Sequence, residues 1–121
     1  MPFFIVSRLQ AAIDFYVQQL GFSLDIAIPE GQPYFAIVCR DRVRLMLKEI
    51  GKDTQPQPNH TRHPWARWDA YIYTLDPDGL FEEFRERNVT FHHPIADTHD
   101  GLRAFEVVDN NGYVLCFGRP K

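Results

Sequence analysis

FEVVDNNGYVLCFGRP, residues 105–120, sets two apolar runs on either side of an Asx/Gly cluster. Val107 and Val108 lead in, and Tyr113, Val114, Leu115, Cys116 and Phe117 lead out. Between them, Asp109-Asn110-Asn111-Gly112 has the chemistry of a chain reversal, because Asn, Asp and Gly tolerate the backbone angles a tight turn demands. The spacing therefore predicts a β-hairpin. Its outgoing arm, apolar from Tyr113 to Phe117 without interruption, has to be buried on at least one face. Cys116 lies inside that arm, and its identity separates metal chemistry from ligand binding.

At 121 residues the chain has room for one domain, or for a tight pair of half-sized modules sharing a core. Hydrophobic residues make up 45% and aromatics 14%, enough for a packed core and an apolar pocket. A formal charge of −3 argues against nucleic acid or an acidic membrane as a partner. Cys39 and Cys116 show no metal-type spacing and read as buried free thiols of a reducing compartment. With no charged-then-apolar leader and no long apolar run, the expectation is a cytoplasmic protein with no membrane partner.

Outward from the hairpin, the chain falls into a repeated plan. Residues 2–6 form an apolar strand. Ser7 is suited to a helix N-cap, and Leu9, Ala12, Ile13, Tyr16 and Leu20 recur at helical spacing. Gly21 closes that helix as a left-handed cap. Residues 22–28 continue as a strand, and Pro29-Glu30-Gly31 turns it. Residues 34–40 form a third strand, Asp41-Arg42 a tight turn, and residues 43–49 a fourth strand. There Val43, Leu45 and Leu47 alternate with Arg44, Met46 and Lys48, so one face is core and the other meets something more polar.

Residues 51–67 break the pattern. Pro56, Pro58 and Pro64 lie among polar residues, His60 and His63, the composition of a linker or lid rather than a regular element. The plan then recurs. Residues 69–74 read as a strand, Asp76 caps a helix with Pro77 in its first turn, and Leu80, Phe81 and Phe84 form the buried stripe. Asn88 ends that helix, residues 89–92 start another strand, and a polar loop over residues 93–101 leads to the closing hairpin. Strand, helix and three strands thus occur twice, an α+β pattern that repeats in plan but not in residue identity. The expected organisation is a single domain over residues 1–121. Module one covers residues 1–50, the linker 51–67 and module two 68–121.

Val6-Ser7-Arg8-Leu9 through Phe15-Tyr16, followed by Leu20-Gly21-Phe22, resembles the opening of the vicinal oxygen chelate superfamily. That superfamily includes glyoxalase I, extradiol dioxygenases, fosfomycin-resistance enzymes and bleomycin-resistance proteins. Asp109-Asn110-Asn111-Gly112-Tyr113 resembles its Asp-Pro-x-Gly closing turn, with Asn110 in place of the Pro, and Gly101-Leu102-Arg103 leading into Phe105 also fits. The resemblance covers residues 2–120. It implies two β-α-β-β-β modules forming curled mixed sheets around one cavity, and a homodimer.

In the metal-dependent members, four ligands drawn from His, Glu and Gln project into that cavity. Imidazole and carboxylate donors suit a hard or borderline divalent ion. Carried onto this chain, the four positions fall on Met1, Met46, Asp69 and Cys116, and a neighbouring register puts Ala70 in place of Asp69. Only Asp69 is a competent hard-metal ligand, so no metal, no cofactor and no catalytic residue is expected. Met46 and Cys116 sulfur would favour Cu(I), but both read as cavity-wall hydrophobes. Adjacent His92 and His93 point to opposite faces of a strand, and His60, His63 and His99 read as surface loop residues. Cys116 has no histidine fixed near it by sequence, and burial on an apolar strand works against a nucleophilic thiolate.

Alternation gives the lining of the implied cavity. Phe3, Ile5, Arg44, Met46 and Lys48 share one face of the first sheet. Asp69, Tyr71, Tyr73, Val114 and Cys116 share one face of the second. Charged Arg44 and Lys48 beside Met46 favour a pocket over an ordinary core, although Tyr71 and Tyr73 also suit a core with their hydroxyls at its edge. Tyr34, Phe35, Trp65, Trp68 and Tyr71 offer rings for stacking or cation–π contact. Among metal-free relatives the bleomycin-resistance proteins resemble this chain most in Pro2, Leu20-Gly21-Phe22 and the aromatic at Tyr71. They sequester a cationic glycopeptide at a dimer interface. Asp100 stands where drug-binding relatives tend to place Trp, which makes a smaller planar or cationic ligand at least as good a fit as bleomycin.

The reading is a metal-independent protein that binds a small molecule, an antibiotic among the candidates, and acts by sequestration. Its expected ligand contacts are Tyr34, Arg44, Met46, Lys48, Trp68, Asp69, Tyr71, Tyr73 and Cys116. The competing class is a glyoxalase- or dioxygenase-type enzyme of the same superfamily, its ligand set completed by linker or loop histidines.

Overall fold

The computed structural model describes residues 1–51 and 53–121. Lys52, part of the expected linker, lies outside the described residues. The chain divides into two units, Met1–Gln57 and Pro58–Lys121, so the second begins inside the segment expected to be a linker.

In the first unit, β1 (Phe3–Val6) leads to helix α1 (Leu9–Asp14), which widens into a π-helical turn over Phe15–Gln19. Strands β2 (Ser23–Ile28), β3 (Phe35–Arg40) and β4 (Val43–Glu49) follow. Arg8, not Ser7, stands at the helix N-cap and makes no side-chain cap bond. The first exposed donor, Leu9 N–H, is instead satisfied from outside by Glu49 Oε1 on β4 at 2.7 Å. Gly21 takes φ +73° after the helix, as its position after Leu20 predicts. The sheet order is β1-β4-β3-β2, with β1 parallel to β4 and the other pairs antiparallel. The alternation of β4 is realised: Leu45 and Leu47 are fully buried, as are Ala36 and Val38 on β3. Leu9, Ala12, Ile13, Tyr16 and Leu20 supply the helix side of that core.

The second unit repeats the plan after one added turn of helix, α2 (Asn59–Arg62). It contains β5 (Ala70–Tyr73), α3 (Pro77–Glu86), β6 (Phe91–Asp97), β7 (Leu102–Val108) and β8 (Val114–Pro120). Its sheet order is β5-β8-β7-β6, with β5 parallel to β8, the counterpart of the first sheet. Asp76 Oδ1 caps α3 by accepting from Gly79 N–H at 3.0 Å, with Pro77 at the first helical position. At the other end Asn88 adopts φ +61°. Val89 N–H reaches back to the Phe84 carbonyl at 3.1 Å and Asn88 N–H to that of Arg85 at 3.2 Å. This is a Schellman closure with Asn in the left-handed position. The core is aromatic: Phe84 packs edge-on against Phe105 and Phe117, whose rings stack at 5.3 Å.

Two expectations are corrected here. The segment read as linker contains α2, because the Asp69 carboxylate caps it from a distance: Oδ1 accepts Asn59 N–H at 2.8 Å. The polar loop predicted over residues 93–101 is half strand, since β6 runs on to Asp97 through Pro94. Proline is tolerated there because β6 is the sheet edge, and its register against β7 slips on both sides of His93. Among the described residues no helix is long and apolar enough to cross a membrane.

The predicted hairpin joins β7 to β8. Asp109 is buried; its Oδ1 accepts the N–H groups of Asn111 and Tyr113 at 2.8 and 2.9 Å, and Gly112 sits at φ +87°. Removing that carboxylate leaves buried donors without their acceptor. Asp109→Ala is expected to lower unfolding stability by about 1–3 kcal/mol in urea titration, with the far-UV spectrum of the folded state unchanged.

Candidate functional site

Each sheet packs one face on its helix, and the other face carries the residues of functional interest. In the first unit, register puts Phe3, Met46, Ile37 and Ile26 in one cross-strand row and Ile5, Lys48, Phe35 and Ile28 in the next. Arg44 is matched with Cys39 and forms an ion pair with Asp25. The Lys48 ammonium lies 5.4 Å from the centre of the Tyr34 ring. Arg44, Met46 and Lys48 alternate along β4, and Tyr34, just before β3, joins them through its contact with Lys48.

In the second unit, Tyr71 is matched with Cys116 and Cys116 with Glu106, so the three share a row. Tyr73 is matched with Gly118, whose hydrogen in place of a side chain leaves room for Ala104 across the strand. The Trp68 ring stands 5.5 Å from that of Tyr71, tilted by 32°. The Arg67 guanidinium lies 6.0 Å from the Trp68 ring centre and 3.9 Å from Glu106 Oε2. On the other carboxylate oxygen, His92 Nδ1 sits 2.8 Å from Glu106 Oε1. The His60 ring follows at 5.7 Å from His92, with its Nε2 2.9 Å from the Gly112 carbonyl oxygen. Trp68, Tyr71 and Cys116 are thus neighbours, and Tyr73 lies two residues further along β5.

The acid, Arg67 and the two histidines were missed. Glu106 had a visible signal: it is a lone charge in the apolar run Phe105-Glu106-Val107-Val108, at the parity of Cys116. Its 7% exposure makes it a buried carboxylate. His60 and His92 carried no such signal, because their meeting depends on α2 and on the irregular edge strand.

Asp69 stands just before β5, and its carboxylate is committed. While Oδ1 caps α2, Oδ2 accepts Val114 N–H at 2.8 Å. It pins α2, the start of β5 and the start of β8 to one another. Cys116 is 2% exposed. Burial, reinforced by Glu106, pushes its thiol from 9.0 up to about 12, so it is protonated at neutral pH. Burial likewise raises the Tyr71 phenol, with Cys116 and Tyr73 adding to the effect.

These facts test the divalent metal that the fold suggests. The four positions offer two thioethers, a carboxylate whose oxygens both hold backbone donors, and a thiol held in its neutral form. Thiolate and free carboxylate are the forms that ligate. The residues present do not fit such an ion.

A β-α-β-β-β plan repeated once, each sheet with one helix-packed face and one face of mixed chemistry, defines the class. The model of the glyoxalase/bleomycin resistance protein/dioxygenase superfamily matches residues 2–117. This chain belongs to that superfamily. Comparison with curated protein sequences gives no match. Among solved structures, TioX from Micromonospora sp. ML1 is 20% identical with a TM-score of 0.76, covering 100% of this chain and 98% of its own. TnmS3, an antibiotic binding protein from Streptomyces sp. CB03234, is 23% identical with a TM-score of 0.70, covering 98% and 93%. The bleomycin-binding protein of bleomycin-producing Streptomyces verticillus, complexed with copper(II)-bleomycin, is 25% identical with a TM-score of 0.70, covering 99% and 93%.

The thiol shift gives a signed expectation. Below pH 9 the thiol is protonated in folded and unfolded states alike, and its contribution to stability is fully present. Between 9.0 and about 12 only the unfolded thiol ionises, so stability falls as pH rises through that window. The difference between wild type and Cys116→Ala should therefore narrow from pH 9 upward in denaturant titrations. Iodoacetamide at about pH 8 should label Cys39 and spare Cys116 until the protein is unfolded; labelling of native Cys116 would contradict the assignment.

Proposed function

We propose that this protein binds a small molecule without a metal and acts by sequestration, as a cytoplasmic homodimer. The observation that carries the reading is the asymmetry of the second sheet. One face is closed by Phe84, Phe105 and Phe117, whereas the other presents Tyr71 at 39% and Tyr73 at 58% exposure beside a buried polar row. Aromatic walls with a few fixed polar groups are the usual make-up of a small-molecule site. Tyr34, Arg44, Met46 and Lys48 of the first sheet have the same mixture and are assigned ligand contacts by that chemistry. Trp68, Tyr71, Tyr73 and Cys116 do so in the second, and Asp69 acts by holding that sheet's entry in place.

Metal independence is favoured by the state of the four donor positions. The likeness to the bleomycin-binding protein favours sequestration and puts antibiotics among the ligands to try. Self-association is favoured by the edge strand β2, where Leu24, Ile26 and Ile28 are all exposed. Cys39 and Cys116 are free thiols, which suits a reducing compartment.

A thermal-shift screen of planar and cationic natural products is the direct test. Tyr71→Ala should weaken the binding of any hit by about tenfold while the protein stays folded. Unfolding of the variant, with no ligand found for wild type, would reduce Tyr71 to a core residue. Elemental analysis of the purified protein should find no stoichiometric transition metal; a chelator-removable ion whose loss lowers the melting temperature would overturn the metal-free reading.

A further inference from the structure

The polar row of the second sheet has an imbalance. Glu106 is 7% exposed, yet only Oε1 has a hydrogen-bond partner among the described residues, His92 Nδ1 at 2.8 Å. Oε2 faces the Arg67 guanidinium at 3.9 Å, beyond hydrogen-bond length. Trp68 Nε1 is the only buried side-chain atom without a partner among the described residues, so Glu106 Oε2 is an open acceptor that solvent or a ligand can reach. Arg67 holds its charge against the Trp68 ring at 6.0 Å and makes no hydrogen bond among the described residues that would occupy its donors. Trp68 Nε1, in the adjoining residue, is itself buried without an acceptor. An acceptor and a donor therefore stand side by side, too far apart to satisfy each other, beside the paired rings of Trp68 and Tyr71.

We infer that Glu106 and Arg67 together read the edge of a planar ligand that carries adjacent N–H and C=O groups, as in a lactam, an imide or a carboxamide. The ligand N–H donates to Glu106 Oε2, the ligand carbonyl accepts from Arg67, and the ring system stacks on Trp68 and Tyr71. Charge selects against the simpler classes. A cationic group at Glu106 would sit against Arg67. An anionic group at Arg67 would sit against Glu106, and against Asp100, whose charge is felt at both Arg67 and Cys116. A neutral donor–acceptor edge meets neither repulsion. His92 is a positioning residue in this scheme, fixing Glu106 through Oε1 so that Oε2 stays available.

The inference rests on the sequestration reading and narrows its ligand, so the test separates the two. The probes are 2-quinolone, which has the lactam edge, and N-methyl-2-quinolone, which keeps the ring and carbonyl but lacks the N–H. Each is titrated into the full chain and followed by calorimetry and by quenching of tryptophan fluorescence. 2-Quinolone should bind about tenfold or more tightly than its N-methyl analogue, the usual effect of a missing donor opposite a charged acceptor. Arg67→Ala, at an exposed side chain, and Glu106→Gln should each shrink that preference, whereas Tyr71→Ala should weaken both probes together. Equal binding of the two probes overturns the edge-reading inference and leaves sequestration standing. Binding of neither probe also overturns it, and sequestration falls as well only if the wider ligand screen fails.

Discussion

One helix covers one face of a four-stranded sheet, and nearly every assignment in this molecule follows from that limit. In the first unit the helix side takes Leu45, Leu47, Ala36 and Val38 out of water; in the second it takes Phe84, Phe105 and Phe117. Each such side chain larger than alanine contributes about 1.5–3 kcal/mol of burial, and the edge-on and stacked Phe pairs add about 0.5–1.5 kcal/mol apiece. The stability of each unit is therefore concentrated on one side of its sheet. Strand alternation then sends every second residue to the other side, where packing against the helix no longer dictates its chemistry. Met46, Lys48, Tyr71 and Cys116 owe their character to that freedom.

Within that freedom two positions have taken on structural duties. Asp69 stands at one of the positions that the resemblance assigns to metal ligands, but its two oxygens hold Asn59 N–H and Val114 N–H. Charge-assisted bonds of this kind are about twice as strong as neutral ones, so a metal would have to displace two of them to recruit the carboxylate. Cys116 lies at another such position, and the raised proton affinity of its thiol follows from burial first and from Glu106 second. Strand β8 thus engages both residues: its Val114 N–H holds the Asp69 carboxylate, and its own Cys116 is buried.

The parts of this fold that were legible in the sequence are those fixed by local chemistry. Asp109 to Gly112 specify a turn through side-chain acceptors and a positive φ. Asn88 specifies a helix end for the same backbone reason, and β4 announces its two faces by strict alternation. The misreadings arose where a distant residue overrides local composition. Residues 59–62 have three prolines around them and no helical periodicity, but the carboxylate of Asp69 supplies the N-terminal acceptor they lack. Ser7 has the chemistry of a cap, yet Glu49 reaches the helix across the sheet. Pro94 marks a loop in most contexts and is harmless on an edge strand. Asp69 itself was legible as a carboxylate facing the right way, while its occupation by backbone donors required the fold.

Glu106 presents the opposite case, a residue whose local reading was available and whose meaning depends on its neighbours. Stability alone does not account for it. Replacing a buried ion pair as a whole by apolar side chains is often neutral or stabilising by about 1–4 kcal/mol, so a buried pair is weak evidence of a stabilising role. Tight pairing would strengthen such a role, but Arg67 stands 3.9 Å away and is held beside Trp68. The His92 bond compensates one oxygen only. What remains is a carboxylate with one oxygen open, oriented by a histidine and set near the rings of Trp68 and Tyr71. A packing role leaves that open oxygen without a purpose; the proposed ligand edge would give it a partner.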